Sequence, residues 1–220
     1  TDVGTTITTQ GDILYRDGSG LQRLAKPASN KVLQNTSGGV LSWETVSSDA
    51  VKISDTTVSG TPSSFYINGC FTSDYKLYHI VFYDILFSAS AQLKLQGLTA
   101  TDTAYTSSHY NSVSSAYYGQ TSAAQDGHQN YDVDYWRFSA GWCHYQNDES
   151  FVDCWFHNPA HATNTTMKST EGVFENSGSS YIVVSNGAGS LVNNAVLTGL
   201  KVYATSGNIN QMQVKIYGYK

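Results

Sequence analysis

The sequence predicts an all-β protein, with a short N-terminal segment of β-hairpins over residues 1–48 followed by an antiparallel β-sandwich head over residues 49–220. Three observations lead there. Charged residues make up only 13% of the 220-residue chain, and Ser, Thr, Asn, Gln, Gly and Tyr take their place. β-Branched and aromatic side chains fit a pleated surface, while Ser, Thr and Asn compete with helical backbone bonds. Gly-containing turn sequences recur between short apolar groups, and longer apolar stretches alternate with polar residues at a period of two.

The elements follow in chain order. In GDILYRDGSGLQRL, residues 11–24, Ile13, Leu14 and Tyr15 face Leu21 and Leu24 across DGSG; in NKVLQNTSGGVLSWE, residues 30–44, Val32 and Leu33 face Val40, Leu41 and Trp43 across NTSGG. Asp or Asn bonds to its own backbone and Gly accepts positive φ, so both stretches read as hairpins. Two hairpins bury too little apolar surface to offset chain entropy, and they need partners. Residues 63–98 carry strands broken at SD and SAS, with Lys94 and Gln96 expected on the wet face between Leu93, Leu95 and Leu98. Residues 195–220 read as two strands about an SGN turn, with Met212, Val214 and Ile216 inward and Gln211, Gln213, Lys215 and Tyr217 outward.

Residues 101–136 show no sustained period and carry many small polar residues and scattered Tyr. They read as long loops with one short strand, the kind of segment that carries function on a rigid frame. In WCHYQNDESFVDCWFH, residues 142–157, a hairpin about QNDES would set Cys143 opposite Cys154 and Trp142 opposite Trp155. Such neighbours can bridge or pack as two buried thiols, and with an odd count of three cysteines the thiols are the expectation.

Several function classes are disfavoured. A net charge of −5 with no run of Lys or Arg argues against nucleic acid as a partner. No apolar stretch reaches the roughly 18–20 residues of a membrane span, and TDVGTTITTQ has neither the basic nor the apolar part of a secretory signal. HNPAH, with His157 and His161, has helical metal-pair spacing, but Pro159 opposes a helix and no Glu stands between the two His. Cys143, His144, Cys154 and His157 are zinc-ligand types, yet alternation separates Cys143 from His144. Asp126, Asp132 and Asp134 lack the distant Glu of a calcium loop and read as solvated carboxylates. GVLSWE and SNGAGS lack the partners of a nucleophile elbow or a dinucleotide fingerprint and read as turns. No metal, no cofactor and no catalysis are expected.

TTQGDILYRDGSGLQRLAKPASNKVLQNTSGGVLSWE resembles the leader of bacteriophage tail-fibre and other virion surface proteins, with its GDIL strand, DGSG turn, LQRL strand and VLQ-turn-W element. VYATSGNINQMQVKIYGYK is similar to the final hairpin of the jelly-roll-like β-sandwich that ends many of them. The resemblance implies a homotrimer on the virion, as tail fibre, spike or capsid-surface component, with a jelly-roll-like head and an N-terminal segment that attaches to other virion proteins. In that arrangement Ile13, Tyr15, Leu24, Leu33, Leu41 and Trp43 of three chains form one core; the competing expectation is that the hairpins fold back on their own sandwich as extra edge strands. The head is expected to bind a host-surface glycan, because Tyr offers a rigid face for sugar rings and Ser, Gly and Asn offer adaptable hydrogen bonds. Tyr110, Tyr117, Tyr118, Tyr131 and Trp136 are the candidate receptor contacts. The competing placement puts some of these aromatics, Trp136 first, in the core or at a trimer seam. The alternative function is a head-decoration, cement or tail-adaptor protein that binds no receptor.

Overall fold

The computed structural model describes residues 3–45, 48–118, 125–138, 150–175 and 181–220. The chain divides into two compact units, Thr1–Ser48 and Asp49–Lys220.

The first unit has a single helical turn, α1 (Val3–Thr6), and four short strands, β1 (Ile13–Asp17), β2 (Gly20–Leu24), β3 (Val32–Asn35) and β4 (Leu41–Glu44). β1 pairs with β2, Ile13 opposite Leu24, and β3 pairs with β4, Leu33 opposite Trp43. In the first turn the Asp17 carboxylate accepts from the amides of Ser19 (2.8 Å) and Gly20 (3.1 Å), and Gly20 takes a φ of 126°. In the second, the Gly39 amide donates to the Thr36 carbonyl at 2.9 Å. GVLSWE, read as a turn, therefore supplies strand β4 instead. Trp43 Nε1 donates to the Ala25 carbonyl at 2.6 Å and so ties the second hairpin to the end of the first. Even so, none of the described residues of this unit is buried.

Asp12 is its polar knot. One carboxylate oxygen accepts from the Thr9 amide (2.9 Å), the Thr8 amide (3.3 Å) and Arg23 Nε (2.7 Å), and the other accepts from the Lys26 amide (3.0 Å). Enclosure of the side chain opposes ionisation, but the Lys26 amide, the Arg23 guanidinium and the Thr9 amide together outweigh it and hold the carboxyl at about 2 instead of 3.8. A carboxylate with a lowered pKa in the folded state stabilises above its ordinary pKa and loses that effect as pH falls through the folded value. The first unit is expected to keep its structure above pH ~4 and to loosen as pH falls from ~4 towards ~2. Following the Lys26 amide resonance through an acid titration checks this, and Asp12→Asn should remove the transition.

The second unit contains β5 (Ala50–Thr57), β6 (Ser64–Ile67), β7 (Leu77–Phe87), β8 (Leu93–Ala100), β9 (Thr103–Ala104), β10 (Tyr110–Tyr118), β11 (Gln125–Val133), β12 (Trp136–Arg137), β13 (Ser150–His157), β14 (Thr165–Glu175), β15 (Tyr181–Leu191), β16 (Gly199–Ala204) and β17 (Ile209–Tyr219). All pairings are antiparallel. An eight-stranded sheet has the order β11-β10-β15-β14-β13-β7-β17-β5, and a second has the order β12-β8-β16-β6 with β9 beside β8. The four strands β5-β17-β7-β13 facing β6-β16-β8-β12, with the chain crossing between the layers, have the strand order of a jelly roll. Two excursions, β10 with β11 and β14 with β15, add four strands to one edge of the first layer. The fold is thus an all-β antiparallel sandwich.

The core lies between the layers. From the first sheet come Tyr78, Ile80, Phe82, Phe156, Met212, Val214 and Ile216, and from the second Leu93, Leu95, Leu200 and Val202, all buried. Each such side chain contributes roughly 1.5–3 kcal/mol on burial. Met212, Val214 and Ile216 point inward and Gln211, Gln213, Lys215 and Tyr217 outward, as the period-two pattern requires.

Two local readings are corrected. β16 and β17, on either side of the SGN turn, belong to different layers and do not form a hairpin; Gly207, at φ 65°, turns the chain from one sheet to the other. Gln96 is buried, because the 134–136 segment covers that face of β8 and Gln96 Nε2 donates to the Asp134 carbonyl at 2.9 Å. Cys154 has Ser169 of β14 on one side and Ile80 of β7 on the other. Cys143, Trp142 and His144 lie outside the described residues. Cys70 and Cys154 are free and buried; burial pushes the Cys70 thiol up to about 12 and the Cys154 thiol well above its ordinary value.

Candidate functional site

Residues 110–118 and 125–133, read as loops, instead form the strand pair β10 and β11, joined to the sheet through β15. On β10, Tyr110, Ser112, Ser114 and Ala116 are buried, while Val113 and Tyr117 are exposed and Asn111 and Ser115 partly so. This is full strand alternation. It was invisible in the sequence because Ser and Tyr occur on both faces and give no apolar contrast.

The inner face explains two of the candidate aromatics. Tyr110 is fully buried; its hydroxyl donates to the Tyr105 carbonyl (2.8 Å) and accepts from the Gly97 amide (3.0 Å), and burial pushes the phenol pKa upward. Trp136 is also fully buried, edge-on to Tyr110 at 4.7 Å and to Phe156 at 5.2 Å. Tyr110 and Phe156 stand on strands three places apart in the eight-stranded sheet, so that sheet curls around Trp136. A Cβ on Gly189 would lie 2.8 Å from the Trp136 ring, which is why β15 carries Gly there. Tyr110 and Trp136 are core residues and are withdrawn as receptor contacts.

The outer face holds the rest. Between Tyr110 and Ser112 the pairing with β11 shifts register, and Asp132 sits in the left-handed region at φ 52° with its amide donating to Asn111 Oδ1 at 3.0 Å. Such a bulge re-aims neighbouring side chains. Tyr131 is left 68% exposed. Beside it lies a depression of about 230 Å³ lined by Asn111, Val113, Tyr131, Ala188, Gly189 and Ser190. Its floor is low because β15 presents only the small side chains of Ala188 and Ser190 on this face, in a stretch read as a turn from SNGAGS but in fact the second half of an eleven-residue strand. A second depression of about 360 Å³ adjoins it across Val113 and Ala188, and adds Ser115, Lys168 and Asn186.

The arrangement suits a small polar ligand with an apolar face. The Tyr131 ring offers a stacking wall, and Asn111, Ser190 and main-chain groups offer hydrogen bonds. Tyr117, 52% exposed, is about 14 Å along β10 from Val113 at 3.4 Å per residue, and lies outside this groove. Tyr118 belongs to β10, and its side chain lies outside the described residues. Of the four candidates whose side chains are described, Tyr131 alone lines the groove.

Elsewhere, HNPAH is a turn in which the His161 amide donates to the Asn158 carbonyl at 3.3 Å. Asp134 accepts from Gln96, and no three His, Cys, Asp or Glu side chains converge among the described residues. Sequence reasoning missed one cluster on the outer face of β13, β7 and β17. There His79 stacks on Trp155 (centroids 4.3 Å apart, planes within 6°), contacts Asp153 at 2.7 Å and lies near Tyr217. These residues meet only through pairing of strands some 75 to 140 residues apart in sequence, as in His79 opposite Trp155 and Tyr217. In the first unit, Ile13, Tyr15, Leu24, Leu41 and Trp43 are partly exposed and Leu33 is 47% exposed. No family model, no curated protein and no solved structure matches the chain.

Proposed function

We propose that this chain is a virion surface fibre or spike subunit of a bacteriophage, whose head binds a host-surface glycan in the groove beside Tyr131. The observation that carries this reading is the groove itself, an exposed aromatic ring standing over a floor of Gly, Ala and Ser with amide and hydroxyl groups at its edge. Sugar rings present an apolar face for such a ring and hydroxyls for such an edge. The first unit supports the same picture. It has defined hairpins and a charged knot, yet buries none of its described residues, so copies of the chain gathered about a common axis would supply the core it lacks. Ile13, Tyr15, Leu24, Leu33, Leu41 and Trp43 would line that axis in a homotrimer, and the segment would join other virion proteins.

Tyr131→Ala is the test. Tyr131 is exposed, so the variant should keep its thermal midpoint within about 2 °C. Binding of the labelled full chain to host cells should fall at least tenfold. Unchanged binding would sink the groove as the receptor site.

A second reading, a decoration or cement protein, is favoured by an apolar patch on the same sheet, where Tyr117, Phe151, Ile182 and Val184 are each at least 40% exposed. Such a patch suits a protein neighbour. Antibody-gold against the head on intact virions separates the two readings, with label at the tail or fibre tips for the first and over the capsid for the second.

A further inference from the structure

We propose that the groove continues across the sheet as one track for a linear acidic polysaccharide, with a sugar carboxylate held at Lys168 and a further ring stacked on Trp155. This rests on the glycan reading above and specifies the class of glycan. The strand register lays the track out: Val113 on β10 is opposite Ala188 on β15, Ala188 is opposite Lys168 on β14, and Lys168 is opposite Trp155 on β13. At about 4.8 Å per strand, Val113 and Trp155 stand roughly 14 Å apart on one face, a span for several linked sugars. The two depressions are continuous over the first part of this row, sharing Val113 and Ala188.

Charge selects the ligand. The chain carries a net −5, yet among the described residues the one charged side chain lining either depression is the cation Lys168. Lys168 is exposed and makes no ion pair among the described residues. The Asp153 carboxylate, on the neighbouring strand, is engaged by His79 at 2.7 Å. His79 also stacks on one face of Trp155 and fixes the ring, which remains partly exposed. A neutral glycan would leave Lys168 unused, whereas a uronic acid at that place in the chain gains a charge-assisted bond.

The test uses the full chain and defined probes, namely a hexamer and a dimer of galacturonic acid and the carboxyl-reduced, neutral hexamer. The acidic hexamer is expected to bind at least tenfold tighter than the neutral one. Lys168→Gln should abolish that preference and Lys168→Arg should keep it. Trp155→Ala should weaken the hexamer at least fivefold and leave the dimer unchanged. Equal binding of acidic and neutral hexamers, or a preference that survives Lys168→Gln, overturns the proposal. The groove reading is judged separately by Tyr131→Ala on host cells, so the acidic track can fail while the groove stands.

Discussion

Trp136→Ala is expected to destabilise the head by about 3–5 kcal/mol, the range for removing a large buried aromatic. For a domain of this size that lowers the thermal midpoint by roughly 6–20 °C. The physical reason is position. Trp136 opens β12 at the edge of the smaller sheet, and its ring meets Tyr110 from β10 and Phe156 from β13, so one side chain fills the space around which the larger sheet curls. Gly189 of β15 offers no side chain to fill the vacated space, since its Cβ position, 2.8 Å from the Trp136 ring, is empty. Trp136→Phe should cost less. Urea denaturation followed by Tyr fluorescence and circular dichroism measures both, and binding per folded molecule should be unchanged in either variant, since the indole is fully buried.

Gly199→Ala is expected to destabilise by about 3 kcal/mol, the upper end of the overpacking range. Gly199 is the first residue of β16, where an added Cβ would fall 2.2 Å from the Ile67 carbonyl oxygen and 3.3 Å from the Asn68 Cα. Those are backbone atoms of the partner strand β6 and its end, and they cannot swing aside as a side chain can. The two strands must part, at an edge that closes the smaller sheet. Gly127→Ala is the control: Gly127 lies in β11 with nothing within 4 Å of an added Cβ, and its substitution should change the midpoint by less than about 2 °C. Equal losses for the two glycines would show that the close approach of β16 to β6 is not what requires Gly199.

How much of this was legible in the sequence depended on whether the signal was local. The DGSG turn was, because Asp17 and Gly20 close it with atoms three residues apart. The last strand was too, because Met212, Val214 and Ile216 contrast sharply with the Gln and Lys between them. β10 and β15 were not, because Ser, Ala and Gly occupy the middle of their inner faces, while Val113, Tyr117, Ile182 and Val184 face outward, so no apolar contrast marks a period. Long-range pairing was equally hidden. Nothing near residue 154 announces that its neighbours are Ile80 and Ser169, so a local hairpin with Cys143 was the natural expectation. The same limit governed the candidate site. Tyr131 could be picked out for its residue type, but Asn111, Ala188 and Ser190 join it only because β15 pairs with β10. Tyr110 and Trp136 were picked out by the same type and belong to the core.

A crystal structure of the full chain with an oligosaccharide fragment of the host-surface glycan tests the central claim most directly. A sugar ring stacked on Tyr131 and hydrogen-bonded at Asn111 and Ser190, on the outer face of β10 and β15, is the expected result. A sugar ordered on the opposite sheet, or on any face that leaves Tyr131 uncovered, would contradict it.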